Sequence, residues 1–328
     1  MGPSNRLREA LDGYRDRVVG STTALFAHAP NPLTDTLSYE GDPGMCGPNS
    51  VTWPVIGDAS AFVGGIRSLL IQAVHPEVVA GVSDHSRYRQ DPLGRLSRTS
   101  AYVTATSFGA MPEVDAAVNN VQRAHRPVRG TSHRGESYSA AVPEMAAWVH
   151  NVLTDSFLVA FQTYGSRPLS SKEADRFVAE QAAIGRLLRA DPTPLTATAL
   201  AGWVADHPSI GDSPGLHESI RFLRNPPLPL HVKLPYMVLL AAAAATVPPT
   251  LRRVLGIRRL PGAVSVGRIT VAALRWALGS SPSWHIALVR VGAPVPSGLF
   301  RQPLPTPSTG VEAMQGLEST PASSRSTE

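Results

Sequence analysis

The sequence predicts an all-α protein: one globular multi-helix domain followed by a disordered C-terminal tail. Three observations carry that prediction. Apolar residues make up 43% of the 328-residue chain, enough for a sizeable core, while aromatic content is low and alanine abundant, which favours close-packed helices. Apolar positions recur at three- and four-residue spacing through most of the chain. Proline marks the first turn of segment after segment, where its missing N–H is harmless.

Taken in order, residues 5–20 form an amphipathic helix with Leu7, Leu11, Tyr14 and Val18 on one side. Residues 29–54, rich in Pro and Gly, read as an irregular loop. A strong helix opens at Asp58-Ala-Ser60 and is expected to turn Phe62, Ile66, Leu69, Leu70 and Ala73 to the core; the paired glycines of FVGGIRS within it suit close helix packing. Pro76 restarts the chain after His75, and helices follow over 94–108 and 112–126. The RPVRGTSHRGES stretch is read as a loop, and Pro143-Glu144 begins a long helix to about Tyr164. Ser170-Ser-Lys-Glu173 is a capping box for a helix reaching Arg189. Thr196–Asp206, Pro214–Leu223 and Pro235–Thr246 are further helices, PPTLRRVLGI is a short one ending at Gly256, and 268–278 is the last. From Pro294 onward Pro, Ser, Thr and Gly dominate, the composition of a tail without a core. No internal repeat is present. The expected division is 1–54 for the first helix and loop, 55–260 for the main helical unit, 261–293 for an extension and 294–328 for the tail.

Composition excludes several function classes. The formal net charge is +5 and the pI about 9.7, yet no basic run exceeds two residues and basic and aromatic residues do not interleave, so nucleic acid is not an expected partner. The basic residues are arginines except for Lys172 and Lys233. Cys46 is the single cysteine, which rules out an intrachain disulfide, a cysteine metal cluster and covalent c-type haem attachment. The N-terminus lacks the apolar core of a signal peptide, and the apolar run Leu234–Val247, at about 14 residues, is shorter than a membrane span and suits a buried helix. A cytoplasmic location is expected, with membrane contact disfavoured. Walker, dinucleotide-binding, HExxH and G-x-S-x-G signatures are absent, and there is no E-x-x-H pair for a di-metal site.

Polar chemistry concentrates between His75 and His150. Five of the ten histidines lie there (His75, His85, His125, His133 and His150), with eight arginines. Arg95, Arg98, Thr99 and Tyr102 fall on one helical face, and His125 and Arg129 are four apart. A histidine near a helix end beside arginines is the composition of a haem b pocket, where neutral imidazole holds iron and guanidinium pairs a propionate. Capped or hydrogen-bonded core histidines produce the same composition, so both alternatives stand at this point.

The order of motifs adds a resemblance. H-P-x-V-x-x-G-V-x-x-H-S (His75 to Ser86), D-P-x-G-R-L-x-R-T (Asp91 to Thr99), Phe108-Gly109, H-R-x-V-R-G (His125 to Gly130), Y-x-A (Tyr138 to Ala140), P-E-x-x-x-W-V-H (Pro143 to His150) and the Val247-Pro248…Leu251-Arg252…Gly256 ending follow one another. Together they resemble the MpaB-type oxygenase family, which shares its catalytic domain with latex-clearing protein, the rubber oxygenase. The resemblance spans roughly residues 55–260 and implies a globin-like helical core. It also implies a non-covalent haem b with its iron, dioxygen as co-substrate, and oxidative cleavage or oxygenation of a small hydrophobic, alkene- or isoprenoid-like substrate. It implies His125 as the axial iron ligand, with His150 as the alternative. Arg95 and Arg129 are implied as cofactor-binding residues, and Arg98 and Thr99 as the catalytic distal pair. Rubber oxygenases carry R-x-x-K-T where this chain has Arg95-Leu-Ser-Arg98-Thr99, so an arginine replaces the distal lysine. A non-catalytic haem sensor or carrier and a cofactor-free helical scaffold are the alternatives from other classes.

Overall fold

The structure, a computed structural model, describes residues 3–304. Its described residues form fourteen α-helices and one two-stranded ribbon, which makes the chain all-α. The helices are α1 (Pro3–Phe26), α2 (Thr52–Gly57), α3 (Ala61–Gln72), α4 (Pro76–His85), α5 (Pro92–Phe108), α6 (Met111–His125) and α7 (Pro143–Tyr164). They continue as α8 (Ser171–Leu187), α9 (Ala197–Ala205), α10 (Pro214–Arg224), α11 (Leu230–Thr246), α12 (Pro249–Val254), α13 (Ala263–Leu278) and α14 (Pro282–Arg290). The ribbon pairs β1 (Arg129–Thr131) with β2 (Ser137–Ser139) in antiparallel register. No described helix is long and apolar enough to cross a membrane.

Helices α3 and α7 are the centre of the fold. The buried side of α3 carries Val63, Gly64, Arg67, Leu70 and Ile71. Phe62 and Ile66 are half-buried against the core as expected, but Leu69 is 37% exposed. An apolar count misplaces this stripe because one of its members is charged. Arg67 lies inside, its Nη1 donating to Asp155 Oδ2 at 2.6 Å and Ser156 Oγ at 2.9 Å on α7. The backbones approach closely at Gly64, where a Cβ would stand 2.6 Å from Phe157 Cδ1 and 3.1 Å from its Cα. The partner glycine, Gly65, faces open space. The apolar core spreads from this pair to α8, α9, α11 and α13.

Local signals set the helix ends. Ser170 and Glu173 form both halves of the capping box, and His75, Asp91, Thr196 and Ser213 cap their helices through side chains. Two starts differ from expectation. Helix α11 begins at Leu230, with Pro235 inside it rather than opening it; the missing N–H falls opposite the carbonyl of His231, an exposed residue in the helix's first turn. Helix α13 begins at Ala263, after Gly262 in the left-handed conformation (φ 73°). Helices α2 and α14 and the ribbon, all short, stand in segments read as loop or extension.

A second, smaller cluster (Leu33, Trp53, Phe108, Ile286, Ala287, Leu288) fixes the two-residue joint Gly109-Ala110 between α5 and α6. Trp53 Nε1 donates to the Ser107 carbonyl at 2.7 Å, and buried Arg290 donates to Phe108 O at 2.7 Å, Thr36 Oγ1 at 2.6 Å and Asp42 O at 2.9 Å. Asp42 Oδ2 in turn accepts from Met111 N at 2.8 Å. Gly44 (φ 64°) passes so near this joint that a Cβ would lie 2.0 Å from the Gly109 carbonyl oxygen, so glycine is required there. Residues 294–304, at the head of the expected tail, lie against α13 and α14, with Phe300 stacked on His285 at 4.4 Å; residues 305–328 of that tail lie outside the described residues.

Removing one partner of the buried pair leaves an uncompensated charge. Asp155→Ala is expected to lower unfolding free energy by about 3–5 kcal/mol in chemical denaturation, and Arg67→Met with Asp155→Leu to recover most of that loss.

Candidate functional site

With the α5–α6 joint held from outside, the candidate residues Arg95, Arg98, Thr99 and His125 sit toward the ends of the two helices away from it. Helix α5 starts under the Asp91 cap, whose Oδ1 accepts from Gly94 N at 2.9 Å. Arg95 follows in the first turn, its guanidinium carbon 5.7 Å from the Tyr88 ring centroid. Tyr88 is itself set edge-on to Phe222 of α10 at 5.2 Å. Burial lowers the Arg95 pKa; the charges acting on it are Tyr88 and the like-charged Arg98, with no carboxylate among them. One turn on, Arg98 is exposed and pairs with Asp91 Oδ2 at 3.2 Å, and Thr99 Oγ1 donates to the Arg95 carbonyl at 3.1 Å. Two turns from Arg95, the buried Tyr102 hydroxyl has no hydrogen-bond partner among the described residues, and burial raises its pKa.

His125 is the last residue of α6. Its imidazole reaches solvent, yet the surrounding protein desolvates it enough to lower its pKa, so the ring is neutral at pH 7. No hydrogen bond to the ring is found among the described residues, and the same holds for the guanidinium of Arg129 on β1.

Between these two residues the chain turns into the ribbon, and the ribbon is pinned to α4. His85 Nε2 donates to the Arg129 carbonyl at 3.1 Å, and the Tyr138 hydroxyl donates to Asp84. Gly130 pairs with Tyr138, and a Cβ there would lie 2.5 Å from the Tyr138 hydroxyl oxygen. Buried Glu77 accepts from Arg134 Nη2 at 2.8 Å and from Ser132 Oγ at 3.1 Å. Sequence reasoning treated this stretch as loop and missed Glu77 and Asp84 as its anchors. The signal was present in the long-range pairing of an acid on α4 with the TSHR turn, which no local spacing reveals.

The remaining histidines have structural surroundings. His150 is packed between α7 and α8: Nε2 donates to the Gln181 carbonyl at 2.8 Å, and Gly185 leaves room for the ring, since a Cβ there would lie 2.5 Å from His150 Cδ2. His75 caps α4 and its ring lies tilted against Trp148, with centroids 5.4 Å apart, and against His207, at 5.5 Å. Burial holds both His75 and His150 down at about 4. Among the described residues no three His, Cys, Asp or Glu side chains gather as a metal-ligand set.

These two pKa values predict a pH dependence. In the unfolded chain the imidazoles titrate near 6.5, above their folded values, so the unfolded state binds more protons at intermediate pH. Stability is expected to be full above pH 6.5 and to fall between about 6.5 and 4, by up to roughly 3 kcal/mol for each histidine, as read from denaturant midpoints at several pH values.

No curated protein and no solved structure matches the chain with significance. The family described as "ER-bound oxygenase mpaB/B'/Rubber oxygenase, catalytic domain" matches residues 53–276, from α2 to within the last turn of α13. With more than half of its length matched, the chain belongs to the mpaB/rubber oxygenase catalytic-domain family.

Proposed function

We propose that this family member is a haem b-dependent oxygenase acting with dioxygen on a hydrophobic alkene, isoprenoid-like in character. The observation that carries the haem reading is Arg95, a desolvated cation without a carboxylate, on the helix paired with the one that ends in His125. A half-buried guanidinium without an anion is open to one, and a propionate would supply it. A neutral imidazole without a partner is the donor an iron needs. A single histidine ligand also suits a macrocycle, which provides the other equatorial donors, better than a bare ion that takes several side chains. The residues present fit the group.

In this reading His125 holds the iron, and Arg95 and Arg129 pair the propionates. His150 is the poorer ligand because its Nε2–H already serves Gln181, so ligation there breaks a 2.8 Å hydrogen bond inside a helix seam. The haem supplies the iron centre at which dioxygen is activated. Arg98 and Thr99 would offer N–H and O–H donors to dioxygen once released from Asp91 and from the Arg95 carbonyl, and the unpartnered Tyr102 hydroxyl on the same face of α5 would add a third. Donors placed there would favour the transition state as charge develops on oxygen. Arg98 reaches inward only on leaving Asp91, so that pair governs how often the donor is available. The same pair favours a second reading, a haem carrier without turnover: with Arg98 held on Asp91, a donor to dioxygen is missing.

Haem titration followed in the visible spectrum tests the assignment. His125→Ala is expected to abolish the wild-type Soret spectrum or weaken haem binding more than about tenfold, with His150→Gln unchanged. The reverse pattern moves the ligand to His150, and absence of binding in the wild type leaves a cofactor-free scaffold. Arg95→Ala is expected to weaken haem about tenfold, with partial rescue by Arg95→Lys. Oxygen uptake with isoprenoid alkenes separates the oxygenase from the carrier.

A further inference from the structure

The distribution of charge is uneven in a way the oxygenase site does not use. From Ser219 through Val311 there is no Asp or Glu, while the same stretch carries eleven Lys and Arg. The rest of the chain has 19 Lys and Arg against 25 Asp and Glu, so it is net acidic. Some of these bases are engaged inside the fold, Arg275 with Asp58 and Arg290 near Glu113. Arg224, Arg258 and Arg259 are exposed, Lys233 is half-buried, and none of the four is in an ion pair among the described residues.

Hydrogen bonds bring these residues to one edge of the molecule. Arg224 Nη2 donates to the Gly256 carbonyl at 3.3 Å, Lys233 Nζ to Asn225 Oδ1 at 2.5 Å, and the Tyr236 hydroxyl to the Leu223 carbonyl at 2.9 Å. The end of α10, the start of α11 and the end of α12 therefore meet there. From Gly256 only Ile257-Arg-Arg-Leu-Pro-Gly262 separates this edge from α13. Around this edge large aliphatic side chains stand out in solvent: Leu230 is 75% exposed and Leu234 67%, and Leu260, four residues after Gly256, is 56% exposed.

Protruding aliphatics beside unpaired cations, in a stretch that itself carries no carboxylate, are complementary to one kind of surface. We propose that this edge, Leu230 and Leu234 of α11 with Arg258, Arg259 and Leu260 before α13, docks the protein peripherally on an anionic lipid bilayer. The arginines and Lys233 are drawn to acidic headgroups, and the leucines enter the boundary between headgroup and acyl chain. A nucleic acid would find the same charge, but it offers nothing to exposed leucines, and the aromatic at this edge, Tyr236, is half-buried rather than presented as a stacking platform. The inference rests on charge and exposure alone and does not depend on haem.

Vesicle co-sedimentation of the full chain tests it. Binding is expected to vesicles containing about 30% phosphatidylglycerol, and to be at least tenfold weaker on pure phosphatidylcholine or after Arg258→Glu with Arg259→Glu. Leu230→Ser with Leu234→Ser is expected to weaken binding to the acidic vesicles by a similar factor while leaving the thermal melt and far-UV circular dichroism unchanged. Equal sedimentation with both vesicle types overturns the proposal, as does lack of binding to either. Insensitivity to the leucine changes, or tighter binding to a DNA duplex, overturns it in favour of simple polyanion association. Self-association of the chain that the leucine changes abolish, without vesicle binding, assigns the edge to a second copy instead.

Discussion

A guanidinium and a carboxylate, Arg67 and Asp155, lie almost wholly buried between the two central helices, and most of the fold is arranged so that they are satisfied. Arg67 also directs Nε toward the Thr246 carbonyl at the end of α11, at 3.5 Å, so one side chain ties three helices. A buried pair of this kind adds less net stability than an apolar pair of similar volume, but it penalises every alternative packing that leaves either charge alone. It sets the rotation of α3 about its axis. It therefore decides that Val63, Leu70 and Ile71 enter the core and that Leu69 does not.

The same division of labour runs out to the site. The α5–α6 joint is crowded with satisfied hydrogen bonds from Trp53, Arg290 and Asp42, each from a segment remote in sequence. Toward the far ends of those helices the half-buried Arg95 has no carboxylate beside it and the neutral His125 ring, at the surface, makes no hydrogen bond among the described residues, while midway along α5 the Tyr102 hydroxyl is buried without a partner. Buried polar groups in folded proteins are nearly always paired, so the Tyr102 hydroxyl is an exception that the proposed ligand would complete; Arg290 Nη2 and Glu113 Oε1, at the joint, are others.

Much of the fold is legible in the sequence because helices announce themselves locally. Pro76, Pro92, Pro143 and Pro214 all occupy first turns, and the Ser170–Glu173 box forms as its spacing implies. What escapes is non-local. The ribbon at 129–139 exists because Glu77 and Asp84 on α4 hold it, and α2 and α14 are stabilised by packing on each other's neighbours rather than by propensity. At the site, the identities His125, Arg95 and Arg129 emerge from the order of motifs. Their surroundings do not, because desolvation and the lack of partners depend on which helices come together. For the same reason the sequence leaves His125 and His150 as competing ligands, while the structure gives only His150 an occupied Nε2.

The most direct measurement is an experimental structure of the haem-loaded protein. The account predicts the His125 imidazole bonded to iron and the Arg95 guanidinium within hydrogen-bonding distance of a propionate. Iron bonded to His150, or haem seated away from the ends of α5 and α6, would contradict it.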